Sequence, residues 1–246
     1  MLFSFQGKIW LAIRNAQGQY QKQVWVGNAP SLQLQLQTET TDKMESYSGN
    51  RNQIGRLDRG KTATISMTLD EWTPANLAMG FYGEQITIAT STVTDEALPT
   101  GLVAGEVVRL AYPFVSDVVL EANATPLVEG TDYRIESENA GLIEILADQA
   151  GPVTADYQYA AASAVTMFTT RPEERWLLLD GINTDNNERV ILELYRCKFN
   201  PFGQIDLITD EYGNLPIEGS VLFDPINAQD SDLGGFGRVI SQQEAA

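Results

Sequence analysis

Two runs of strict alternation between apolar and polar residues constrain the fold of this chain more than any other feature. In residues 31–37, Leu32, Leu34 and Leu36 alternate with polar residues, and in residues 62–69 four apolar residues alternate with Thr and Ser. A period of two is typical of β-strands with one buried and one solvated face. The chain is therefore expected to build a half-buried sheet, whose glutamine side faces a solvent-filled space.

The segment between these two strands, residues 41–60, carries charges of both signs and follows neither helical nor strand periodicity. We expect it to form a long polar loop. Loops of this length inside a compact domain are usually either functional or disordered. Because predicted strands bracket the segment closely on both sides, the sequence favours a functional loop.

A short helix is expected after the second strand. Thr73 is suited to cap its N-terminus, and Pro74 is suited to its first position, where the missing N–H costs no hydrogen bond. An apolar stripe follows, and either Gly80 or Gly83 can end the helix. Elsewhere the patterns predict strands, at residues 8–14, 23–27, 85–89, 107–112, 118–122, 133–137, 142–146, 153–159, 176–182, 189–199, 204–209 and 216–223.

The predicted fold class is all-β with one short flanking α-helix, with an antiparallel β-barrel or sandwich core and an inserted small β-sandwich. Residues 1–82 carry 8 basic and 6 acidic side chains, whereas residues 83–170 carry 2 basic and 13 acidic ones. We therefore expect residues 86–164 to form an inserted β-rich domain and residues 1–85 with 165–246 to form a discontinuous core, against the alternative of one continuous fold. Residues 227–246, which are rich in Gly, Gln and Asp, are expected to be a flexible tail or arm.

Composition argues against most kinds of catalysis. The chain has no histidine, which removes Ser-His-Asp and Cys-His arrangements and imidazole metal sites. Its single cysteine, Cys197, cannot form an intramolecular disulfide and lies in an apolar strand pattern. Adjacent carboxylates such as Asp70 and Glu71 lie beside turns and point to opposite faces of a strand. We expect no catalytic residues, no metal, no cofactor and no enzymatic activity.

The net charge of −17 also limits the partners that the chain can have. Stable binding to nucleic acid depends on clustered Lys and Arg, so a static nucleic-acid binder is not expected. No apolar stretch is long enough for a membrane helix, and the N-terminus lacks the pattern of a secretion signal. The sequence predicts a soluble protein without a membrane partner.

Several segments resemble the major tail tube protein of long-tailed, non-contractile bacteriophages. They cover the first and last thirds of the chain, and their order carries the resemblance more than any single motif does. The segments are residues 45–49 (ESYSG), 61–69, 70–83 (DEWTPANLAMGFYG), 195–201 (YRCKFNP) and 215–225 (LPIEGSVLFDP).

The resemblance implies a subunit that forms hexameric rings, which stack into a hollow tube and conduct viral DNA without stable binding. It places the protein in the virion tail, after synthesis and assembly in the bacterial cytoplasm, with tape measure, distal tail and tail-terminator proteins as partners. The inserted domain would lie on the outside of the tube. The long loop would reach between subunits and adjacent rings, and its expected interface residues are Lys43, Glu45, Tyr47, Arg51, Arg56, Asp58, Arg59 and Lys61.

An acidic bore would let DNA slide, because each Lys or Arg contact would hold a phosphate. The candidate lumen residues are Glu39, Glu193, Asp206 and Glu218. Two alternatives remain open at this point. One is another tail component, such as a distal tail or tail-terminator protein. The other is a β-sandwich adhesion module that binds carbohydrate through Trp10, Trp25 or tyrosines.

Overall fold

A computed structural model describes residues 2–242 of the chain, and its secondary structure is almost entirely β. The prediction of an all-β fold with one short helix is confirmed. The first half contains β1 (Phe5–Arg14), β2 (Tyr20–Trp25), β3 (Ser31–Met44), β4 (Gln53–Leu69), α1 (Pro74–Phe81), β5 (Gln85–Ile88), β6 (Ser91–Ala97), β7 (Val107–Arg109) and β8 (Val115–Ala122). The second half contains β9 (Thr125–Pro126), β10 (Tyr133–Ser137), β11 (Leu142–Ile145), β12 (Val153–Tyr159), β13 (Ala162–Val165), β14 (Arg175–Asn183), β15 (Arg189–Phe199), β16 (Leu215–Val221), a 3-10 turn (Asn227–Gln229) and β17 (Gly237–Ser241).

Two compact units divide the described chain. Unit 1 contains residues 2–85 and 165–242, and unit 2 contains residues 86–164. Each unit has a hydrophobic core of its own. Strands β5 and β13 pair with each other where the chain passes from one unit to the other.

Unit 1 is built on one open antiparallel sheet. Its strand order is β2-β1-β14-β15-β16-β4-β3, and β17 pairs with β15 beside this path. Strands β2 and β3 end the path and are not paired with each other. Within the described residues the sheet therefore does not close, and the expectation of a barrel core is wrong for the single chain. Closure would require a partner for each free edge.

One face of this sheet packs against α1 to form the core of unit 1. The core includes Ile65 and Ile217 of the sheet and Leu77 of the helix, all buried. The helix begins as expected, because Thr73 Oγ1 accepts a hydrogen bond from the Asn76 amide at 3.2 Å. It does not end at a glycine. Tyr82 adopts the left-handed conformation at its C-terminus instead (φ 52°).

The two glycines expected at the helix end have other roles. Gly80 leaves no room for a Cβ because the ring of Phe202 packs directly on it. Gly83 lies against the backbone of Thr166 in the same way. Tyr82 is held in place because its hydroxyl donates a 2.7 Å hydrogen bond to the Phe199 carbonyl.

The C-terminal segment is ordered on the chain itself, so the prediction of a flexible tail or arm at residues 227–246 is wrong for its described part. Strand β17 fills the edge of β15 at residues 190–194, next to the point where β16 pairs with residues 197–199. The Tyr195 hydroxyl also donates a 2.8 Å hydrogen bond to the Leu233 carbonyl. Without β17, residues 190–194 of β15 would have an unpaired edge on this side, and pairing with that edge keeps the C-terminal segment ordered. Residues 243–246 lie outside the described part.

The segment predicted as a long irregular loop, residues 41–60, is mostly strand, which corrects that expectation. Strands β3 and β4 stay paired from Ser31↔Thr68 to Met44↔Gln53, with bulges after Glu39 and after Lys43. Only residues 45–52 form the turn. Both faces of this outer part are solvated, so no apolar alternation was needed to specify it.

The strand predicted at residues 204–209 is absent, and this segment is irregular. The strand that follows it in the chain, β16, offers it no edge, because β16 already pairs on both sides, with β15 and β4. Strand β6, by contrast, forms at Ser91–Ala97, where the sequence patterns predicted no strand.

Unit 2 is a small sandwich of two antiparallel sheets. One sheet has the order β6-β12-β8-β9 and the other has the order β10-β11-β7. Leu120 and Tyr157 from the first sheet and Ile143 and Ile145 from the second are almost completely buried in a common core. The Tyr157 hydroxyl donates a hydrogen bond to Glu96, and burial followed by this bond raises the pKa of Tyr157.

The separate cores predict that unit 1 folds without unit 2. We expect a chain in which residues 90–161 are replaced by a short Gly-Ser linker to keep its unit 1 fold, because β5 and β13 bring the two cut ends together. All four tryptophans, Trp10, Trp25, Trp72 and Trp176, lie in unit 1. Tryptophan fluorescence during urea unfolding therefore reports on unit 1 in both chains. Loss of the cooperative transition in the shortened chain would mean that residues 90–161 belong to the core.

Candidate assembly surface

A two-stranded β-ribbon extends from the sheet of unit 1. We call residues 38–61 the ribbon; it consists of the outer halves of β3 and β4 and the turn between them. Strand β16 pairs with β4 only at residues 63–69, so no third strand supports the ribbon among the described residues. Almost every ribbon side chain is exposed. An isolated two-stranded hairpin is at best marginally stable in water.

The turn of the ribbon is organised by Glu45, which is buried. Its carboxylate accepts hydrogen bonds from the Ser48 hydroxyl and from the Asn52 side-chain amide, the latter at 2.9 Å. The hydrogen bond from Ser48 is the largest cause of a lowered pKa at Glu45. Glu45 was predicted as an interface residue, but the structure places its side chain inside the turn. Tyr47, in contrast, is 81 % exposed at the tip.

We predict that Glu45→Ala opens the turn and leaves the core unchanged, because the Asn52 side chain and the Ser48 hydroxyl lose their acceptor. Amide hydrogen exchange should become faster at residues 45–52 and stay the same in β15 and β16. Ser46→Ala is the matched control, because Ser46 is exposed and makes no contact of this kind in the described structure. Unchanged exchange at Asn52 in the Glu45 variant would show that the turn does not depend on this carboxylate.

The charged side chains predicted for the interface lie along the ribbon. Arg56 lies opposite Asp42, with Nε 3.9 Å from Asp42 Oδ1, and donates a 3.2 Å hydrogen bond to Thr40 Oγ1. Arg59 lies at a bulge between two paired positions. Arg51 adopts a left-handed backbone in the turn (φ 52°). The remaining predicted residues, Lys43, Asp58 and Lys61, are exposed on the ribbon strands.

The ribbon combines positive charge with exposed apolar groups. It carries five basic and four acidic residues in a chain of net charge −17. Tyr47, Ile54 and Leu57 are each more than half exposed. Of the four acidic residues, Glu45 is used within the turn and Asp42 faces Arg56. The outer surface therefore presents guanidinium groups beside apolar side chains, a mixture that is typical of protein interfaces.

The free edges of the sheet also carry exposed apolar residues. On β2 these are Tyr20, Val24 and Trp25, and on β3 they are Leu34 and Leu36, the latter 71 % exposed. Edge strands with apolar side chains invite pairing with another chain. A partner at either end of the sheet could therefore form backbone hydrogen bonds with the edge strand and bury its exposed apolar side chains.

The sheet face opposite the core is polar beside the ribbon. Rows of side chains cross three strands there, Gln33–Ser66–Glu218 and Gln35–Thr64–Ser220. Of the predicted lumen residues, Glu39 and Glu218 lie on this face and are exposed. Glu193 lies farther along the same face but is paired with Arg238 at 2.7 Å. Asp206 is not on a strand, and it accepts a hydrogen bond from Gln204.

Sequence reasoning missed a groove at the other end of β4. The irregular segment 205–214, Leu215 at the start of β16, and Trp72 surround a surface groove of about 980 Å³. Leu207 is 74 % exposed, while Ile208 and Tyr212 are almost completely exposed. The apolar alternation of residues 205–208 was interpreted as a strand, which hid this surface. The presence of three acidic residues and no basic ones in 200–215 was the available signal.

The described residues offer little for a metal, membrane or thiol site. No group of three or more His, Cys, Asp or Glu side chains in residues 2–242 is placed to hold a metal ion. No helix in this range is long and apolar enough to cross a membrane. Cys197 is buried, and burial raises the pKa of its thiol to about 12. Of the aromatic residues considered for carbohydrate, Trp10 is half-buried and Trp25 carries Lys8 Nζ 5.4 Å from its ring centroid.

Comparison with known proteins gave one family. No curated protein matches the chain. The model of a family described as protein of unknown function UCP028589 matches residues 2–240, which span both units and the ribbon. The chain therefore belongs to the family of unknown function UCP028589.

Proposed function

We propose that this chain is the major tail tube protein of a long-tailed, non-contractile bacteriophage. Six copies form a ring, and rings stack into the hollow tube that conducts DNA from the capsid to the host. The alternative assignments, a distal tail or tail-terminator protein and an adhesion module, are distinguished below by the state of assembly.

The observation that carries this proposal is the unsupported ribbon. Residues 38–61 extend beyond the sheet, and nearly all their side chains are exposed. A protein that works as a monomer gains nothing from ordering such a ribbon, because the backbone entropy lost is not recovered by burial. A neighbouring copy supplies that burial. The exposed guanidinium groups and the net acidity of the rest of the chain favour such self-association.

The open sheet supports closure into a ring. One free edge is β3, which has 14 residues, and the other is β2. Pairing β2 of one copy with β3 of the next satisfies both edges and covers Trp25 and Leu36. This contact is heterologous, so repeating it around an axis closes a ring when the rotation matches.

The polar sheet face suits the wall of a DNA conduit. Its amide and hydroxyl groups and the carboxylates of Glu39 and Glu218 offer no cationic contact to phosphate. These groups bind phosphate less than clustered Lys and Arg would, although exposed Lys198, opposite Ser220, adds a cation to this face. Glu193 contributes less negative charge because Arg238 is bonded to it.

The proposal is mechanical and assigns no catalytic residue and no cofactor. Its partners are other copies of the chain, the tape measure, distal tail and tail-terminator proteins, and DNA in transit without stable binding. It places the protein in the virion tail after assembly in the bacterial cytoplasm, with no membrane partner.

Negative-stain electron microscopy of the purified full chain, at increasing protein concentration, tests this function. We expect long tubes of uniform width with a hollow centre. Single rings that never stack would favour the tail-terminator or distal tail assignment instead. Monomers at every concentration would contradict a tube-forming role and leave the adhesion module as the surviving alternative.

A further inference from the structure

The groove beside Trp72 exposes large apolar side chains that lie neither on a strand of the sheet nor on the ribbon. Leu207, Ile208 and Tyr212 project from an irregular segment that no strand supports, and Trp72 is 58 % exposed. Soluble monomers rarely expose apolar patches of this kind unless they bind something. This surface therefore requires a partner with apolar side chains of its own.

The charge around the groove is negative. Asp70 and Asp206 line it, and Asp210 and Glu211 lie in the same irregular segment. Residues 200–215 contain no Lys or Arg. A partner with exposed guanidinium groups would be attracted to this surface, and one with carboxylates would be repelled.

The ribbon has the complementary properties. Its tip presents Tyr47 and Ile54 together with Arg51, and Arg56 follows along β4. An aromatic residue and arginines around an apolar centre are the composition of a typical binding hot spot. The ribbon tip and the groove thus match in both polarity and charge.

Their positions exclude contact within one chain. The turn of the ribbon precedes Gln53, the first residue of β4, whereas Asp70 and Trp72 follow its last residue, Leu69. With 17 residues at about 3.3 Å each, β4 separates the two surfaces by about 55 Å. Surfaces at opposite ends of one strand meet only when copies are arranged head to tail.

We propose that the groove formed by Trp72 and residues 205–215 receives the ribbon tip of a second copy in the next ring. This contact rests on the proposed tube function and names the surface that stacks one ring on the next. It is heterologous, so each new copy presents a further unoccupied groove or tip. Its repetition extends the assembly without limit.

Targeted cross-linking tests the contact in the full chain. Ser46→Cys places a thiol next to the tip and Thr209→Cys places one in the groove; both residues are exposed. A short bismaleimide should convert tubes of the double variant into a ladder of covalent multimers on denaturing gels. On the same gels, tubes of either single variant should run as the monomer. Cys197 does not react with the bismaleimide, because its thiol is buried and has a raised pKa. The matched control pairs Ser46→Cys with Thr184→Cys, an exposed position in the turn between β14 and β15.

The outcomes separate the two proposals. Tubes that give a ladder with Thr209→Cys but not with Thr184→Cys support the groove. Tubes that give no ladder with Thr209→Cys overturn the groove and leave the tube function standing. If the unmodified chain forms no tubes, the tube function fails and the groove contact fails with it.

A second variant needs no cross-linker. Ile208→Ser with Tyr212→Ser should leave the monomer folded, because both side chains are almost fully exposed. It should abolish stacking at concentrations at which the unmodified chain forms tubes. Tubes of normal length from this variant would overturn the groove assignment.

Discussion

Reversing Arg56 and Arg59 to glutamate is expected to prevent tube formation while the monomer stays folded. Within the chain, Arg56 makes only exposed contacts, with Asp42 and Thr40. Such contacts contribute less than about 1 kcal/mol to folding. In an interface with an acidic neighbour the same charges become repulsive. A loss of about 2 kcal/mol per subunit, the lower end of the cost of breaking an interfacial charge pair, raises the critical concentration roughly 30-fold.

Sedimentation and electron microscopy at matched concentrations measure this effect, with circular dichroism as the check on folding. Arg109→Glu with Arg134→Glu is the control, since it changes the net charge by the same amount in unit 2 instead of the ribbon. The control should assemble normally. Assembly of the Arg56 and Arg59 variant at the unmodified concentration would show that ribbon charges do not drive association.

The second large effect is expected at Asp224, which is completely buried. Arg14 donates hydrogen bonds to both of its carboxylate oxygens, from Nη2 to Oδ1 at 2.9 Å and from Nε to Oδ2 at 3.1 Å. The Ile226 amide donates a further bond to Oδ1 at 3.0 Å. Asp224→Asn leaves the Arg14 charge, only 10 % exposed, with Glu174 at 3.9 Å as a more distant counter-ion. Breaking a buried pair in this way costs about 3–5 kcal/mol.

Urea unfolding followed by tryptophan fluorescence measures this loss. Trp176 is suited to report it, since its indole donates a 3.0 Å hydrogen bond to the Gly18 carbonyl near the Arg14 turn. Asp180→Asn, at an exposed position on β14, is the control and should change stability by less than about 0.5 kcal/mol. Equal midpoints for the two variants would mean that the Arg14–Asp224 pair does not hold the C-terminal segment.

The same carboxylates should make unit 1 sensitive to acid. Burial alone would raise the pKa of Asp224, but hydrogen bonds from the Ile226 amide and Arg14 lower it below its usual 3.8. The hydrogen bond from Arg196 lowers the pKa of Glu174 below its usual 4.5. Because the pKa of each carboxyl is lower in the folded chain than in the unfolded chain, the ionised carboxylates stabilise the fold near neutral pH. This contribution begins to decrease below the unfolded pKa values and is lost as the pH falls through the lowered, folded ones. The urea concentration at the unfolding midpoint should therefore decrease when the pH is lowered below about 4.5. In Asp224→Asn the same change of pH should lower the midpoint by less.

Strands with one buried face were predictable from sequence, because burial imposes a pattern on their side chains. Strands with two solvated faces carry no such pattern and were not predicted. Alternation located β4 at residues 62–69 because core packing requires it there. The same strand continues to Gln53 with no such signal, because both faces of the ribbon are solvated. Backbone pairing with β3 maintains it, and backbone pairing leaves no pattern in side chains.

The two wrong predictions near the C-terminus have one cause. A strand needs a free edge, and sequence alone does not show which edges are free. Ile205 and Leu207 alternate like a strand, yet both edges of β16 are already used. Residues 237–241 lie in a segment whose Gly, Gln and Asp content predicted a flexible tail, yet β15 offers them an edge. At the candidate site, the charges of the ribbon were evident from sequence, whereas the role of Glu45 inside the turn was not.

Amide hydrogen exchange of the ribbon, compared between dilute and assembled protein, tests most directly whether residues 38–61 are the element through which copies associate. In dilute protein these amides should exchange quickly, because only one strand pairing protects them. On assembly they should become strongly protected, together with residues 205–215 in the groove. Assembled protein whose ribbon exchanges as quickly as that of the dilute chain would contradict the account.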